Sequence, residues 1–84
     1  MNWDVIKVKV TGDHKFHVLF QDGLAGEVVF SPESLFGVFE PLKDQNFFEL
    51  VRVVNGTVSW PDDIDLAPDA MHEEIKKSGV WILV

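Results

Sequence analysis

The sequence predicts a small α+β domain on a largely antiparallel sheet, with short helices and one longer C-terminal helix. Two observations point to the sheet: apolar and polar residues alternate through the first 30 positions, and an Asn55-Gly56 pair separates two apolar runs. Proline-and-acid pairs at Pro32 and Pro68 indicate helix starts. A chain of 84 residues suffices for one small domain and is short for two, so we treat 1–84 as a single domain.

The N-terminal third is predicted to form a three-stranded meander. In the first strand the buried face alternates with lysines and consists of Ile6, Val8 and Val10. Thr11-Gly12-Asp13 is a turn signal. The apolar face of the second strand consists of Phe16, Val18 and Phe20, and a third strand follows over Leu24–Phe30.

The loop between the second and third strands can be assigned from the pattern of faces. A two-residue Asp22-Gly23 loop would mix polar and apolar residues on both faces of the hairpin. A three-residue loop aligns the apolar residues, pairing Phe20 with Leu24, Val18 with Gly26 and Phe16 with Val28. We therefore favour a Gln21-Asp22-Gly23 loop with Gly23 in the left-handed conformation.

Two short helices are predicted in the middle of the chain. Ser31 is placed to cap a helix that begins at Pro32 and is stopped by Gly37. Asp44 is placed to cap a second helix that runs through Leu50. The apolar residues that this second helix and its end would bury are Phe47, Phe48 and Val51.

Asn55-Gly56 is the strongest local signal for a two-residue hairpin turn. The turn would pair Val53 with Val58 and Val51 with Trp60 on one face. Arg52 and Ser59 would then lie on the opposite face.

The longer helix is predicted to begin at Pro68, to run to about Lys77 and to end at Gly79. Ala67 is a poor cap for it, and Glu73 is spaced to pair with Lys77. The apolar tail Val80–Val84 either adds a strand to the sheet or meets another chain, so a homodimer through the C-terminus stays open.

The amino-acid composition disfavours some classes of function. Seven basic and fourteen acidic residues give a net charge of −7, which disfavours direct binding of nucleic acids and membrane surfaces. No apolar run approaches the roughly 20 residues of a membrane span. Cysteine is absent and no signal-peptide pattern opens the chain, so we predict a cytoplasmic protein.

The acidic residues concentrate between positions 62 and 74, a stretch without lysine or arginine. The candidate partner-binding surface consists of Asp62, Asp63, Asp65, Asp69, Glu73 and Trp81. The carboxylates of Asp62-Asp63-Ile64-Asp65 could hold a hard cation, but their spacing does not match an EF-hand loop. We therefore favour a solvated loop before a helix, and predict no metal and no cofactor.

Chemistry-bearing residues are sparse. His14 and His17 are expected on opposite faces of a strand, so they cannot readily chelate one ion together, and His72 is distant in sequence. No serine lies in a nucleophile motif and no glycine loop suits a phosphate. We expect no enzyme and no catalytic residues; a hydrolase using Asp63 or His72 is the weakest alternative.

Several motifs follow one another in the order seen in a known family. They are Phe20-Gln21-Asp22-Gly23, Gly37-Val38-Phe39-Glu40-Pro41-Leu42, Gly56-Thr57-Val58-Ser59-Trp60-Pro61 and Asp65-Leu66-Ala67-Pro68-Asp69. With them the chain resembles the DUF2442 family of small bacterial domains of unknown function. The resemblance implies a compact α+β fold similar to the N-terminal domain of a Nitrosomonas protein. It also implies a partner, because many members are encoded beside a DUF4160 protein in a proposed toxin–antitoxin pair.

These observations favour a protein-binding module, a small acidic domain that recognises a protein partner as the antitoxin-like half of a pair. The alternative from another class is a small-molecule or metal sensor. Its pocket would lie between sheet and helix, with Trp60 and the acidic loop at the rim.

Overall fold

A computed structural model describes residues 3–84 and places their strands in two sheets. In chain order the strands are β1 (Val5–Gly12), β2 (Lys15–Phe20), β3 (Ala25–Phe30), β4 (Arg52–Val54), β5 (Thr57–Trp60), β6 (Ile64–Leu66) and β7 (Val80–Leu83). The helices are α1 (Gln45–Phe48) and α2 (Pro68–Ser78), and 3₁₀ segments span Pro32–Ser34 and Gly37–Lys43. The predicted α+β class is confirmed.

The larger sheet has the order β1-β2-β3-β7, and the smaller sheet has the order β4-β5-β6. Neighbouring strands are antiparallel, except that β3 and β7 are parallel. The two sheets are joined where β1 begins, because the Val5 amide donates to the Gly56 carbonyl at 2.9 Å. The predicted meander is therefore present, and a second sheet packs beside its first strand.

The hairpin between β2 and β3 has the predicted register. Val18 lies opposite Gly26, and the Phe20 amide donates to the Leu24 carbonyl at 2.8 Å. Gly23 has a φ of 94°, a conformation that glycine adopts without a steric penalty. The three-residue loop is confirmed, because only this register puts the apolar residues of both strands on the core face.

The prediction for β1 is wrong at Ile6, whose side chain is 57% exposed. Val5 pairs with Phe20 while Lys7 pairs with Leu19, so Ile6 is an extra residue without a counterpart on β2. This β-bulge reverses the alternation, and Val5 takes the buried position in place of Ile6. The strand also continues to Gly12, so the predicted Thr11–Asp13 turn begins later than expected.

The segment after β3 differs from the predicted capped helix. Pro32–Ser34 is a single 3₁₀ turn, and the Ser31 hydroxyl donates to the Leu83 carbonyl at 2.6 Å instead of capping it. The reason is tertiary, because β7 pairs with β3 and brings its end beside Ser31. Gly37 begins the second 3₁₀ segment and does not stop a helix.

The cap at Asp44 is confirmed, since its carboxylate accepts a hydrogen bond from the Asn46 amide at 3.0 Å. The helix that it starts, α1, is shorter than predicted and ends at Phe48. Phe48 is buried, whereas Phe47 and Val51 are half-buried against the core.

The Asn55-Gly56 hairpin is confirmed by the pairing of Val53 with Val58. Arg52 pairs with Ser59 at the start of β4, so Val51 lies outside the ladder and its predicted pairing with Trp60 is not formed. The acidic segment that follows is not all loop: Ile64–Leu66 forms β6 against β5. Ile64 and Leu66 are buried, and this three-residue alternation was too short to stand out in the sequence.

The C-terminal helix α2 ends as predicted. Gly79 has a φ of 82°, and its amide donates to the Ile75 carbonyl at 2.7 Å. Lys77 pairs with Glu74 at 3.7 Å, so the predicted pairing with Glu73 is wrong. The helix packs closely on β3, and Gly26 leaves room for it. A Cβ added to Gly26 would lie 2.5 Å from Ile75 Cγ2.

Aromatic rings fill the core between the sheets and helices. Phe48 and Trp60 contact each other, and both Phe16 and Phe30 pack against the two of them, with centroid distances of 5.8–6.0 Å. The Trp60 indole N–H donates to the Phe48 carbonyl at 2.8 Å, so its buried polar atom is satisfied.

The tail Val80–Val84 joins the sheet. Trp81 pairs with Val28 and Leu83 with Phe30, so the intramolecular alternative for Val80–Leu83 is the one that the fold realises. Because β7 is the outermost strand of its sheet, no strand within residues 3–84 pairs with its second side, which we call the open side.

Candidate functional site

The fold brings together one pair of titratable side chains that the sequence did not link. His72 on α2 lies against the β2–β3 loop, where its Nε2 is 2.8 Å from Asp22 Oδ2. Its side chain is only 9% exposed, and its ring packs edge-on against Phe20 with a centroid distance of 4.9 Å. His72 is therefore a buried, paired histidine.

The electrostatics of this pair define which nitrogen carries the proton. The hydrogen bond from His72, together with the Leu24 amide at 3.0 Å, holds the pKa of Asp22 below its usual value of 3.8. An ionised carboxylate only accepts hydrogen bonds, so Nε2 of His72 is the donor. In the neutral imidazole the lone pair then lies on Nδ1.

A cleft of about 450 Å³ opens beside His72. One lining residue, Trp3, precedes β1, and the others belong to α2. The α2 residues are Asp69, Ala70, His72, Glu73 and Lys76. Within residues 3–84 the hydrogen bond of the His72 ring is the one from Nε2 to Asp22, and His72 is among the residues that line the cleft. The cleft thus offers an aromatic face, an imidazole ring and two carboxylates.

The structure divides the predicted partner-binding surface among several places. Asp63 and Asp65 line a groove of about 330 Å³ on the small sheet, together with Arg52 and Ser59. Two other residues of the predicted surface, Asp69 and Glu73, line the cleft beside His72. Asp62 is exposed in the β5–β6 loop, and Trp81 is half-buried on β7. The carboxylates are exposed as expected, but they do not line one continuous cleft.

The structure also separates the residues considered for metal binding and catalysis. Across residues 3–84, no three His, Asp or Glu side chains lie close enough to hold one metal ion. Asp63 and His72 line different clefts, so the hydrolase alternative lacks the convergence that it requires. Trp60, Asp63 and Asp65 line one groove, as the sensor alternative requires. That alternative also places the pocket between sheet and helix, but no helix residue lines this groove.

The other two histidines have no shared site. His14 lies in the β1–β2 turn with a φ of 55°, not on a strand as expected. Its Nε2 is 2.7 Å from the Leu42 carbonyl oxygen, and its amide donates to Gln45 Oε1 at 3.1 Å. His14 therefore fastens the first turn to the start of α1, while His17 is exposed on β2.

Exposed apolar residues lie at the end of β7: Phe36, Val38 and Val84 line one groove, and Ile82 belongs to the strand itself. We call these four residues the β7 edge surface. All four side chains are exposed. The carbonyls of Gly79 and Leu83 accept from the Glu27 and Ser31 amides on the β3 side. Since backbone groups alternate along a strand, those of Ile82 point to the open side.

Sequence reasoning missed both Asp22 and the apolar pair Phe36 and Val38 as site residues. Asp22 was interpreted only as a turn former, and nothing local joins it to a histidine 50 positions away. A signal existed for the apolar pair, because two large apolar side chains flank Gly37 in a segment without a helical or strand period.

None of the described helices is long and apolar enough to cross a membrane. No curated protein and no solved structure matches the chain significantly. The profile of a family described as Protein of unknown function (DUF2442) matches residues 5–77, which run from β1 into the last turn of α2. The match includes both Asp22 and His72 and covers most of the fold described above. The chain belongs to the DUF2442 family.

Proposed function

We propose that this domain is a protein-binding module that receives an extended segment of a basic partner protein along the open edge of β7. The proposal is carried by one observation: an outer strand without any charged residue borders an exposed apolar surface. Proteins commonly protect such edges with lysine, proline or a bulge, because an open strand pairs readily with another chain.

Strand addition suits the chemistry of this edge. The outward N–H and C=O groups of Ile82 would pair with the backbone of the incoming segment. Apolar side chains of the partner would cover the β7 edge surface, where Ile82 is 56% exposed. Backbone pairing supplies the geometry, and burial of apolar area supplies much of the affinity.

The net charge of −7 favours a basic partner. Exposed carboxylates such as Asp62, Asp65 and Asp69 would attract it over a distance of about 10 Å at ordinary ionic strength. Trp81 lies on the receiving strand itself. The first partner to test is the small DUF4160-type neighbour implied by the resemblance, and this domain would then be the antitoxin-like half of the pair.

The test is co-purification of the domain with that DUF4160-type protein at moderate salt. Ile82→Lys places a charge on the β7 edge and is expected to abolish the complex. Ile6→Lys is a matched control, since Ile6 is exposed to nearly the same extent, 57% against 56%, on the outer strand β1. We expect this control to bind like the wild type.

Three outcomes would contradict the proposal. The first is no complex with the wild-type domain, and the second is equal loss in both lysine variants. The third is a wild-type homodimer in solution that Ile82→Lys converts to a monomer, because the β7 edge would then be occupied by a second copy of this chain.

A further inference from the structure

We infer that the cleft beside His72 binds the guanidinium group of an arginine side chain from the partner protein. The source of the arginine rests on the proposed function, whereas the choice of guanidinium rests on the residues of the cleft. These residues do not belong to the β7 edge surface, so the two ideas can fail separately.

Hydrogen-bond acceptors converge on the cleft from one face of α2. Asp69 and Glu73 are four residues apart, and His72 lies beside Glu73 on the same wall. His72 Nε2 donates to the Asp22 carboxylate, so in the neutral imidazole Nδ1 is a further acceptor on a residue that lines the cleft. A guanidinium group has five N–H donors in one plane and no acceptor, which matches this set.

Trp3 supplies an aromatic wall of the cleft beside His72. Its ring centroid lies 6.0 Å from that of His72, with 42° between the ring planes. A planar cation can stack on the indole face while its edge donates to the acceptors. Stacking and fork-like hydrogen bonding together are typical of arginine and are not available to the ammonium group of lysine.

Other ligand classes fit this cleft less well. An anion would face the carboxylates of Asp69 and Glu73. Within residues 3–84, no three ligating side chains are close enough for a metal ion, whereas a guanidinium group spans a wider separation. Lys76 also lines the cleft and competes with a bound cation, but its exposed side chain can turn into solvent.

The test is a titration of the isotope-labelled domain, followed by NMR at the Trp3 indole N–H and the His72 ring. The probe is N-acetyl-arginine amide, compared with N-acetyl-citrulline amide, which has a similar shape without the charge. We expect the arginine probe to shift both signals and to bind at least about tenfold more tightly than the citrulline probe. N-acetyl-lysine amide is expected to bind more weakly than the arginine probe.

Variants of α2 assign the binding to this cleft. Glu73→Gln is expected to weaken arginine binding several-fold. Glu74→Gln is its matched control, because it removes the same charge one residue away and Glu74 does not line the cleft. Lys76→Gln is expected to strengthen binding, since it removes the competing ammonium group.

Any of three results would overturn the inference. The arginine and citrulline probes could bind equally well, the Trp3 and His72 signals could stay unmoved at high probe concentration, or Glu73→Gln could leave the affinity unchanged. Tighter binding of free arginine than of the blocked amide would also overturn it, because the source would then be a free metabolite. The Ile82→Lys variant is expected to bind the arginine probe normally. If partner capture fails while this probe still binds, the proposed function falls and the guanidinium chemistry stands.

Discussion

Nε2 of His72 donates to Oδ2 of Asp22 across 2.8 Å, joining two residues that are 50 positions apart in the chain. The bond connects α2 to the loop between β2 and β3, and His72 also lines the cleft beside Trp3. It therefore fastens α2, which supplies one wall of the cleft, to that loop.

The first prediction concerns acid stability. The pKa of Asp22 is below its usual value of 3.8 in the folded protein, chiefly because His72 bonds to the carboxylate. Its contribution to stability is complete above the unfolded value and is lost as the pH falls through the folded value. Asp22→Asn removes this titration. The free energy of unfolding of the wild type should therefore exceed that of the variant by less below about pH 4 than at neutral pH.

Chemical denaturation of both proteins between neutral and acidic pH measures this difference. A stability difference that stays constant down to the lowest pH would show that the Asp22 carboxylate does not interact with His72 in solution. Asp13→Asn is a suitable control, because Asp13 lies in an exposed turn and its carboxylate contacts His14 and not His72.

The second prediction concerns the packing of α2 on the large sheet. Gly26→Ala would place a methyl group 2.5 Å from Ile75 Cγ2 and 2.6 Å from the Gly79 carbonyl oxygen. We expect the free energy of unfolding to fall by about 1–3 kcal/mol, because backbone cannot move aside as a flexible side chain can. Gly12→Ala is the control: its new methyl group meets only the flexible end of Lys15. Equal losses in the two variants would contradict the close approach.

The third prediction concerns the buried indole of Trp60. Trp60→Phe removes the donor to the Phe48 carbonyl, an interaction at 2.8 Å, and leaves a smaller ring in the core. We expect a loss of about 2–4 kcal/mol from the lost hydrogen bond and the cavity together. Trp81→Phe should cost less, since Trp81 is only half-buried on β7. Thermal unfolding of the two variants checks this order.

The fourth prediction concerns the start of α1. Asp44→Ala removes the cap that accepts from the Asn46 amide and should lower the free energy of unfolding by about 1 kcal/mol. Asp44→Asn keeps an accepting oxygen and should restore most of this loss. If the alanine and asparagine variants unfold at the same denaturant concentration, the side chain does not cap the helix.

Local features of the fold were predictable where neighbours in sequence decide the conformation. The loop at Gly23 follows from period-two alternation in the two strands that it joins. The end of α2 at Gly79 and the cap at Asp44 follow from backbone groups that a nearby residue satisfies. The same local rules failed at Ser31, whose hydroxyl bonds to Leu83 across 52 positions.

The amino-acid order alone therefore specified the class of the domain, the two hairpin loops at Gly23 and Gly56, the cap at Asp44 and the end of α2, because these depend on contacts within a few residues. The candidate sites arose differently. Asp22 meets His72 only after α2 packs on the sheet, and β7 has an open edge only because it pairs with β3 on one side. Such juxtapositions depend on how separate elements pack together, and no period or spacing in the chain encodes them locally.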